Sequence, residues 1–172
     1  MSEIKDILES KLKPREKVSN LFDAIIREKI SFQEFFEFFK VCSNVEKGTC
    51  ADVMKHISAD NPEFFKSCIE DLIEYINYNL PRIKWGVQET IGNISRKFPD
   101  RVEKAIPNLL LNTKDDSTVV RWCAAFALTE IAKNNPKTRE KLSSIFSEIV
   151  EKEKNNGVRN VYIKALNIIR KE

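Results

Sequence analysis

The stretch VVRWCAAFALTEIAKNNP, Val119–Pro136, has the apolar spacing of an amphipathic helix and ends at a proline. The stretch RIKWGVQETIGNISRKFP, Arg82–Pro99, repeats this pattern, with its tryptophan at the matching place. Another proline, Pro62, extends the series, and successive prolines are 37 residues apart. A fixed period of this length is the signature of tandem structural repeats. The sequence therefore predicts an array of similar helical units.

Each unit contains two helical segments separated by a polar turn. The pairs Asn61-Pro62 and Asn135-Pro136 combine a capping side chain with a proline at the first helical position, so each pair is expected to open a first helix. The segment SFQE, Ser31–Glu34, has the form of a capping box and is expected to open an earlier one. The first helices are predicted at Pro62–Tyr75, Pro99–Asn112 and Pro136–Glu153. The predicted division is two N-terminal capping helices in residues 1–30 and repeats at 31–61, 62–98, 99–135 and 136–172.

The composition favours helices and a single domain over residues 1–172. Four Gly and six Pro are few for 172 residues, which argues against a turn-rich β fold. The net charge of +3 is too nearly balanced to require a nucleic-acid or membrane partner. The sequence shows neither a signal-peptide pattern nor an apolar run long enough to span a membrane, so a cytoplasmic protein is expected.

The four cysteines suggest no metal or redox chemistry. They form no CxxC pair, and the single His56 leaves no histidine cluster to complete a zinc site. Cys42, Cys50, Cys68 and Cys123 are therefore expected to be reduced and buried, and no metal or other cofactor is expected.

One predicted first helix is rich in phenylalanine. The aromatic residues that share one face of it, and are expected in the core, are Phe32, Phe35, Phe36 and Phe39. Phe38 lies off this face, so the alternative for it is an exposed contact with a partner or a second copy of the chain.

The unit Ala105–Pro136 resembles a HEAT repeat. The matching features are a proline in the first helix, an aspartate near the turn and a Val-Arg, Ala, Ala-Leu series in the second helix, namely Pro107, Asp115 or Asp116, Val120, Arg121, Ala124, Ala127 and Leu128. Neighbouring units match more loosely, with Lys84 in place of the Arg and Asn79 in place of Asp116. The resemblance covers about residues 30–172. It implies an all-α protein, a right-handed α-solenoid of about four HEAT-like helical hairpins plus two N-terminal helices, whose second helices line a concave surface that binds another macromolecule.

The periodicity of the second helices separates a core stripe from an opposite face. In the helix that begins near Thr118, the core stripe includes Val120, Ala124 and Leu128. The opposite faces of successive second helices carry the candidate binding residues Trp85, Glu89, Arg96, Trp122, Phe126, Lys133 and Lys164. Large aromatic residues are enriched where proteins bind partners. The alternative is that the rings fill the grooves between adjacent second helices, and both interpretations stay open at this point.

A second set of matched positions is basic and lies near the start of each second helix. Its members, which we call the basic ladder, are Lys47, Lys84, Arg121 and Arg159. The HEAT resemblance implies a structural role, with Arg121 paired to Asp115 or Asp116 at the turn. The alternative is a basic stripe that meets phosphates or an acidic peptide.

The sequence carries no motif that the common enzyme classes require. It lacks a Gly-rich phosphate loop, a nucleophile elbow and an HExxH pair, so no catalytic residue is predicted. The predicted function is a non-catalytic scaffold that holds a protein or peptide on its concave face, with no membrane partner and an open oligomeric state. The alternative is a nucleic-acid-binding HEAT-repeat protein similar to alkylation-repair DNA glycosylases, with Trp85, Glu89, Trp122 and Arg121 imitating their aromatic, acidic and arginine residues.

Overall fold

The computed structural model describes residues 2–171, which form an all-α protein. Eleven α-helices and three 3-10 segments follow one another, with no strand among these residues. The helices are α1 (Ser2–Glu9), α2 (Pro14–Ile26), α3 (Phe32–Val41), α4 (Asn44–Asp60), α5 (Ile69–Glu74), α6 (Pro81–Ile94), α7 (Pro99–Val102), α8 (Ile106–Asn112), α9 (Thr118–Asn134), α10 (Arg139–Lys152) and α11 (Asn156–Ile169). The 3-10 segments are Pro62–Ser67, Glu103–Ala105 and Pro136–Thr138. None of these described helices is long and apolar enough to cross a membrane.

The helices form hairpins that stack in chain order. The second helices α4, α6, α9 and α11 each pack directly against the next, and α2 packs against α4. The first helices of successive hairpins contact one another less extensively. This arrangement is expected when a stack curves toward its second helices. The predicted all-α solenoid of stacked helical hairpins is confirmed.

Side-chain caps begin several of the helices, as the sequence predicts. Ser31 Oγ accepts a hydrogen bond from the backbone N–H of Glu34 at 3.1 Å, which caps α3. Asn135 accepts from the backbone N–H of Lys137 at 3.1 Å and opens a 3-10 segment. The predicted cap at Asn61 is wrong, because its side chain makes no capping hydrogen bond.

Two predicted first helices are interrupted. The predicted helix Pro99–Asn112 is divided by the 3-10 segment Glu103–Ala105. Pro107 accounts for this break, because proline has no N–H to donate and its ring clashes with the carbonyl group four residues earlier. The predicted helix Pro62–Tyr75 is divided at Cys68, whose backbone φ of −131° departs from helical values.

The phenylalanines of α3 all lie in the core. Phe32 contacts the rings of Phe64 and Phe65 in the next hairpin, with centroid distances of 5.5 and 4.7 Å. Phe38 is also buried, with 2% of its surface exposed, so the alternative of an exposed contact site is wrong. A helix inside a stack is covered on more than one side, so residues off its main apolar stripe are buried as well.

Glycines allow the second helices to approach one another closely. A Cβ atom on Gly86 would lie 2.6 Å from the carbonyl oxygen of Ala51, so α6 meets the backbone of α4 at this point. A Cβ atom on Gly92 would lie 2.7 Å from ring atom Cε1 of Phe126 on α9. The missing side chains therefore set the spacing of α4, α6 and α9.

A buried amide pair joins α6 to α8 and α9. Gln88 is fully buried, and its side chain donates to the carbonyl oxygen of Val120 at 3.4 Å. Asn112 donates to Gln88 Oε1 at 3.3 Å and to the carbonyl oxygen of Ile76 at 2.9 Å. An unpaired polar group in a core costs about 1–3 kcal/mol, so these bonds make the two amides tolerable there.

We predict that Gly86→Ala lowers the free energy of unfolding by about 1–3 kcal/mol, because the new methyl group forces α6 away from α4. The better helix propensity of alanine, about 1 kcal/mol, offsets part of this loss. Gly157→Ala is the comparison, since Gly157 is exposed in the first turn of α11 and its new methyl group would meet only the Asn155 side chain, at 3.1 Å, so it should destabilise the protein much less than Gly86→Ala does. Urea unfolding followed by circular dichroism measures both, and equal effects would contradict the close approach.

Candidate functional site

The exposed sides of the stacked second helices form one surface, which we call the second-helix face. Matched positions of α4, α6, α9 and α11 lie in rows across it. The first row is Gly48, which is buried, followed by Trp85, Trp122 and Asn160; the second is Asp52, Glu89, Phe126 and Lys164, and the third is Ala59, Arg96, Lys133 and Lys171. The seven residues that the sequence predicts for binding all belong to these rows.

Trp122 and Phe126 form an aromatic pair on α9. Their rings are parallel, with an interplanar angle of 1° and centroids 5.9 Å apart. Phe126 is half-buried against Gly92 of α6, whereas Trp122 is 38% exposed. The two interpretations of the aromatics thus apply to different rings: Phe126 fills the groove between second helices, and Trp122 lies above it, in contact with solvent.

Trp85, at the matched position of α6, is less accessible than Trp122. It is half-buried, and its Nε1 is covered and has no hydrogen-bond acceptor among the described residues. Trp85 therefore offers part of its ring, but not its N–H group, to a ligand. The equal spacing of the two tryptophans in the sequence does not reveal this difference.

Two charged residues on α6 are held by contacts to neighbouring helices. Glu89 lies 3.9 Å from the Lys55 ammonium group and accepts from the Cys123 thiol at 3.5 Å. Burial, together with the Glu89 carboxylate, raises the pKa of the Cys123 thiol and keeps it protonated as a donor. Arg96 donates to the backbone carbonyl of Ala59 at 3.2 Å, so its positive charge has only a neutral acceptor there.

The cations of α9 and α11 differ in their contacts. Lys133 forms an ion pair with Glu130, three residues before it in α9. Lys164 is exposed on α11 and forms no ion pair or side-chain hydrogen bond within residues 2–171. The face thus carries paired charges at Glu89 and Lys133, whereas Arg96 and Lys164 have no carboxylate partner among the described residues.

The first member of the basic ladder is enclosed by protein. Lys47 is 3% exposed, and its ammonium group donates to the carbonyl oxygens of Phe39 and Lys40, the latter at 3.0 Å. The same group lies over the rings of Phe39 and Tyr75, at 4.9 and 5.5 Å from their centroids. Lys47 is therefore out of reach of a ligand.

Lys84 and Arg121 each bind a carboxylate of the following hairpin. Lys84 Nζ lies 2.7 Å from Asp115 Oδ2, and Arg121 Nε lies 2.9 Å from Glu153 Oε2. Arg121 also donates to the backbone carbonyls of Asp115 and Asp116, at 2.9 and 3.2 Å. Arg121 thus meets its expected partners through their backbone, while the carboxylate it binds is that of Glu153, which the sequence analysis missed.

Arg159, like Lys47, has no carboxylate partner among the described residues. Its Nη2 donates to the side chain of Asn156 at 2.7 Å, and its Nε is buried with no acceptor in the described part of the chain. The two ladder members that form ion pairs with carboxylates are therefore Lys84 and Arg121.

The ladder contacts lower the pKa of two carboxyl groups. Burial alone would raise the pKa of Glu153, but hydrogen bonds from Arg121 and from the backbone of Asn155 outweigh burial and hold this pKa below its ordinary value. The pKa of Asp115 is lowered by the same balance, in which Lys84 donates to the carboxylate. Both groups are stabilised as anions in the folded protein.

A groove of about 670 Å³ lies between α2 and α4, beside the N-terminal end of the second-helix face. Its lining includes apolar side chains of Val18, Phe22 and Ala59 and the cations of Arg15 and Arg82. No sequence motif signals this groove, because α2 lies outside residues 30–172, the region that resembles HEAT repeats.

The structure brings together only part of the residue set considered for a DNA glycosylase, which is Trp85, Glu89, Trp122 and Arg121. Trp85, Glu89 and Trp122 share the second-helix face, but Arg121 is bound to Glu153 in the next hairpin. Within residues 2–171 no group of His, Cys, Asp and Glu side chains could hold a metal ion.

Comparisons with known proteins give structural likeness only. No family model matches the sequence, and no curated protein matches it. A designed armadillo repeat protein has a TM-score of 0.68 and 20% identity, over 90% of this chain and 68% of its own. A second one, in complex with the peptide (KR)4, has a TM-score of 0.68 and 17% identity, over 87% and 66%. A computationally designed armadillo repeat protein for modular peptide recognition has a TM-score of 0.68 and 20% identity, over 88% and 68%. The chain has an armadillo-like repeat fold.

We predict that Trp122 is more accessible to solvent than Trp85, the only other tryptophan. Acrylamide should quench the fluorescence of Trp85→Phe, which retains Trp122, more strongly than that of Trp122→Phe. Stern–Volmer constants measure the difference, and the two variants should become alike in denaturing urea. A larger constant for the variant that retains Trp85 would reverse the assignment of the exposed ring.

We predict that Arg121→Met destabilises the protein by about 1–3 kcal/mol at neutral pH, because Glu153 loses its charged partner while it stays buried. Folding lowers the pKa of Glu153, so the ion pair stabilises the protein above the unfolded-state pKa of about 4.3 and is lost as pH falls through the folded-state value. The gap in Tm between wild type and variant should therefore narrow in acid. Lys141→Met removes an exposed cation as the control and should show no such narrowing.

Proposed function

We propose that this chain is a non-catalytic scaffold that holds an extended peptide segment of a partner protein across the second-helix face. The observation that carries the proposal is the exposed ring of Trp122, which lies parallel to Phe126 on the polar side of α9. An exposed tryptophan supported from below is a rigid apolar contact, and such residues dominate the binding energy of many protein interfaces.

The fold supports this proposal. One solved structure with a similar arrangement of helices is a computationally designed protein for modular peptide recognition, and another designed protein was determined in complex with the peptide (KR)4. Those descriptions apply to the designed proteins, and the transfer of peptide binding to this chain is part of our proposal. In a stack of hairpins, matched positions recur at a constant spacing, which suits an extended chain that crosses successive helices.

Each predicted binding residue has a part in the proposal. Trp85, Trp122 and Phe126 supply the apolar contacts, with Trp122 as the main one. The polar contacts that fix the position of the peptide come from Glu89, Arg96, Lys133 and Lys164. The proposed location of the protein is the cytoplasm, as the sequence predicts.

The contacts of the basic ladder favour a peptide over a nucleic acid. Binding to a phosphate backbone depends on cations that can release counterions. Lys47 is enclosed by protein, and Lys84 and Arg121 are bound to carboxylates. Three ladder positions thus have roles within the fold, so the ladder supports no phosphate stripe.

We predict that peptides selected by this protein from a phage-displayed library of random 12-residue sequences depend on Trp122. Trp122→Ala should raise the Kd for the selected synthetic peptides by at least about tenfold, as expected for a central aromatic contact. Fluorescence anisotropy of the labelled peptides measures this change. Leu111→Ala is the matched control, because Leu111 is 68% exposed on α8, a first helix outside the face, and its truncation should leave affinity unchanged.

Two results would contradict the proposed function. One is a selection in which no clone is enriched over a surface without protein. The other is a set of peptides that lose affinity in Leu111→Ala and keep it in Trp122→Ala, since this would place the site on the first helices.

A further inference from the structure

The carboxylates on the second-helix face are already paired with cations of the same chain. Asp52 accepts two hydrogen bonds from Arg82, at 2.8 and 3.1 Å. Glu89 pairs with Lys55 on α4, as described above. Glu130, one turn before the third row of α9, pairs with Lys133. A basic ligand would have to displace these internal cations, so the face has little free negative charge to attract one.

Within residues 2–171, several cations on the same face have no carboxylate partner. Arg96 binds only a backbone carbonyl, and Lys164 and Lys171 are exposed without an ion pair in the described part of the chain. Asp60, at the end of α4, is exposed beside the face, but the groove that it lines also contains Arg15. The unsatisfied charge of the face is therefore positive.

The positive charge is concentrated toward α11. Between Asn156 and Glu172 the sequence has four cations, Arg159, Lys164, Arg170 and Lys171, and a single acidic residue, Glu172 itself. The aromatic pair lies on the neighbouring helix α9, so apolar and cationic contacts are adjacent across the face. A ligand that uses both contacts must combine an apolar side chain with negative charge.

The row geometry sets the spacing of those two features in the ligand. Phe126 on α9 and Lys164 on α11 occupy the same row. Packed helices have axes about 8–10 Å apart, and an extended chain advances about 3.3 Å per residue, so about three residues of peptide separate the two contacts.

We infer that the occupant of the second-helix face is an acidic peptide segment, which places an apolar side chain on the Trp122–Phe126 pair and, about three residues along, a carboxylate against Lys164. Lys171 and Arg96 add attraction at the third row. This inference rests on the proposed function and names the chemistry of its ligand. It also separates this chain from the designed protein solved with (KR)4, since a basic peptide would meet the repulsion of these cations.

The test uses the peptides selected from the random 12-residue library. The selected sequences should carry net negative charge, with Asp or Glu about three residues from a large apolar residue. At low salt, Lys164→Glu should lower the affinity for these peptides on the order of tenfold, as measured by fluorescence anisotropy. Raising the salt should lower the affinity of the wild type and reduce the effect of the substitution. Lys141→Glu makes the same change of charge at an exposed position of α10 outside the face and should have little effect.

Each outcome of this test decides something. Neutral or basic peptides that still depend on Trp122 would overturn the inference and leave the proposed function standing, as would acidic peptides that bind Lys164→Glu and wild type equally well. Failure to select any peptide would overturn both. A labelled single-stranded DNA of 20 nucleotides is run in parallel: binding that Lys164→Glu abolishes, without enrichment of any peptide, would identify a nucleic-acid ligand and overturn the peptide proposal as well.

Discussion

The close approach of the second helices is the constraint on which the rest of this structure depends. α6 reaches the backbone of α4 because Gly86 has no side chain beside Ala51, and α9 reaches α6 because Gly92 makes room for Phe126. Close packing on this side places matched residues of successive repeats next to one another. A larger residue at Gly92 would displace the ring of Phe126, and with it the support of Trp122.

Polar contacts then fix the register that close packing permits. Apolar helix contacts alone tolerate small shifts, whereas an ion pair or a buried amide pair is satisfied in one register only. Lys84 and Arg121 bind carboxylates one hairpin further along the chain, and the amides of Gln88 and Asn112 join α6 to α8. None of these contacts uses Trp122 or Lys164, which stay exposed on the second-helix face.

The sequence predicts the architecture well, because the features that specify it are local and periodic. The prolines, the tryptophans and the apolar stripes of the second helices recur at one interval, and this recurrence predicts the stacked hairpins. The breaks in the first helices are harder to predict, because they depend on the backbone conformation of single residues and not on a repeated pattern. Pro107 gave a signal for one of these breaks, and nothing comparable marks the break at Cys68. The site is predicted less completely. Periodicity predicts which residues face outward. It does not predict the different exposure of Trp85 and Trp122 or the pairing of Arg121 with Glu153, because both depend on contacts between repeats.

The contacts of the basic ladder and of the aromatic pair would respond differently to duplication of a repeat. Asp115 and Glu153 occupy matched positions, and each receives a cation from the hairpin before it. If the unit 99–135 were duplicated in tandem, Arg121 of the first copy would meet Asp115 of the second, so the ion pairing would survive an insertion. The aromatic contact would not survive, because Phe126 of the second copy would meet Thr129 where it now meets Gly92. The charge register is thus a modular property of this array, and the exposed tryptophan is tied to a single junction between two repeats.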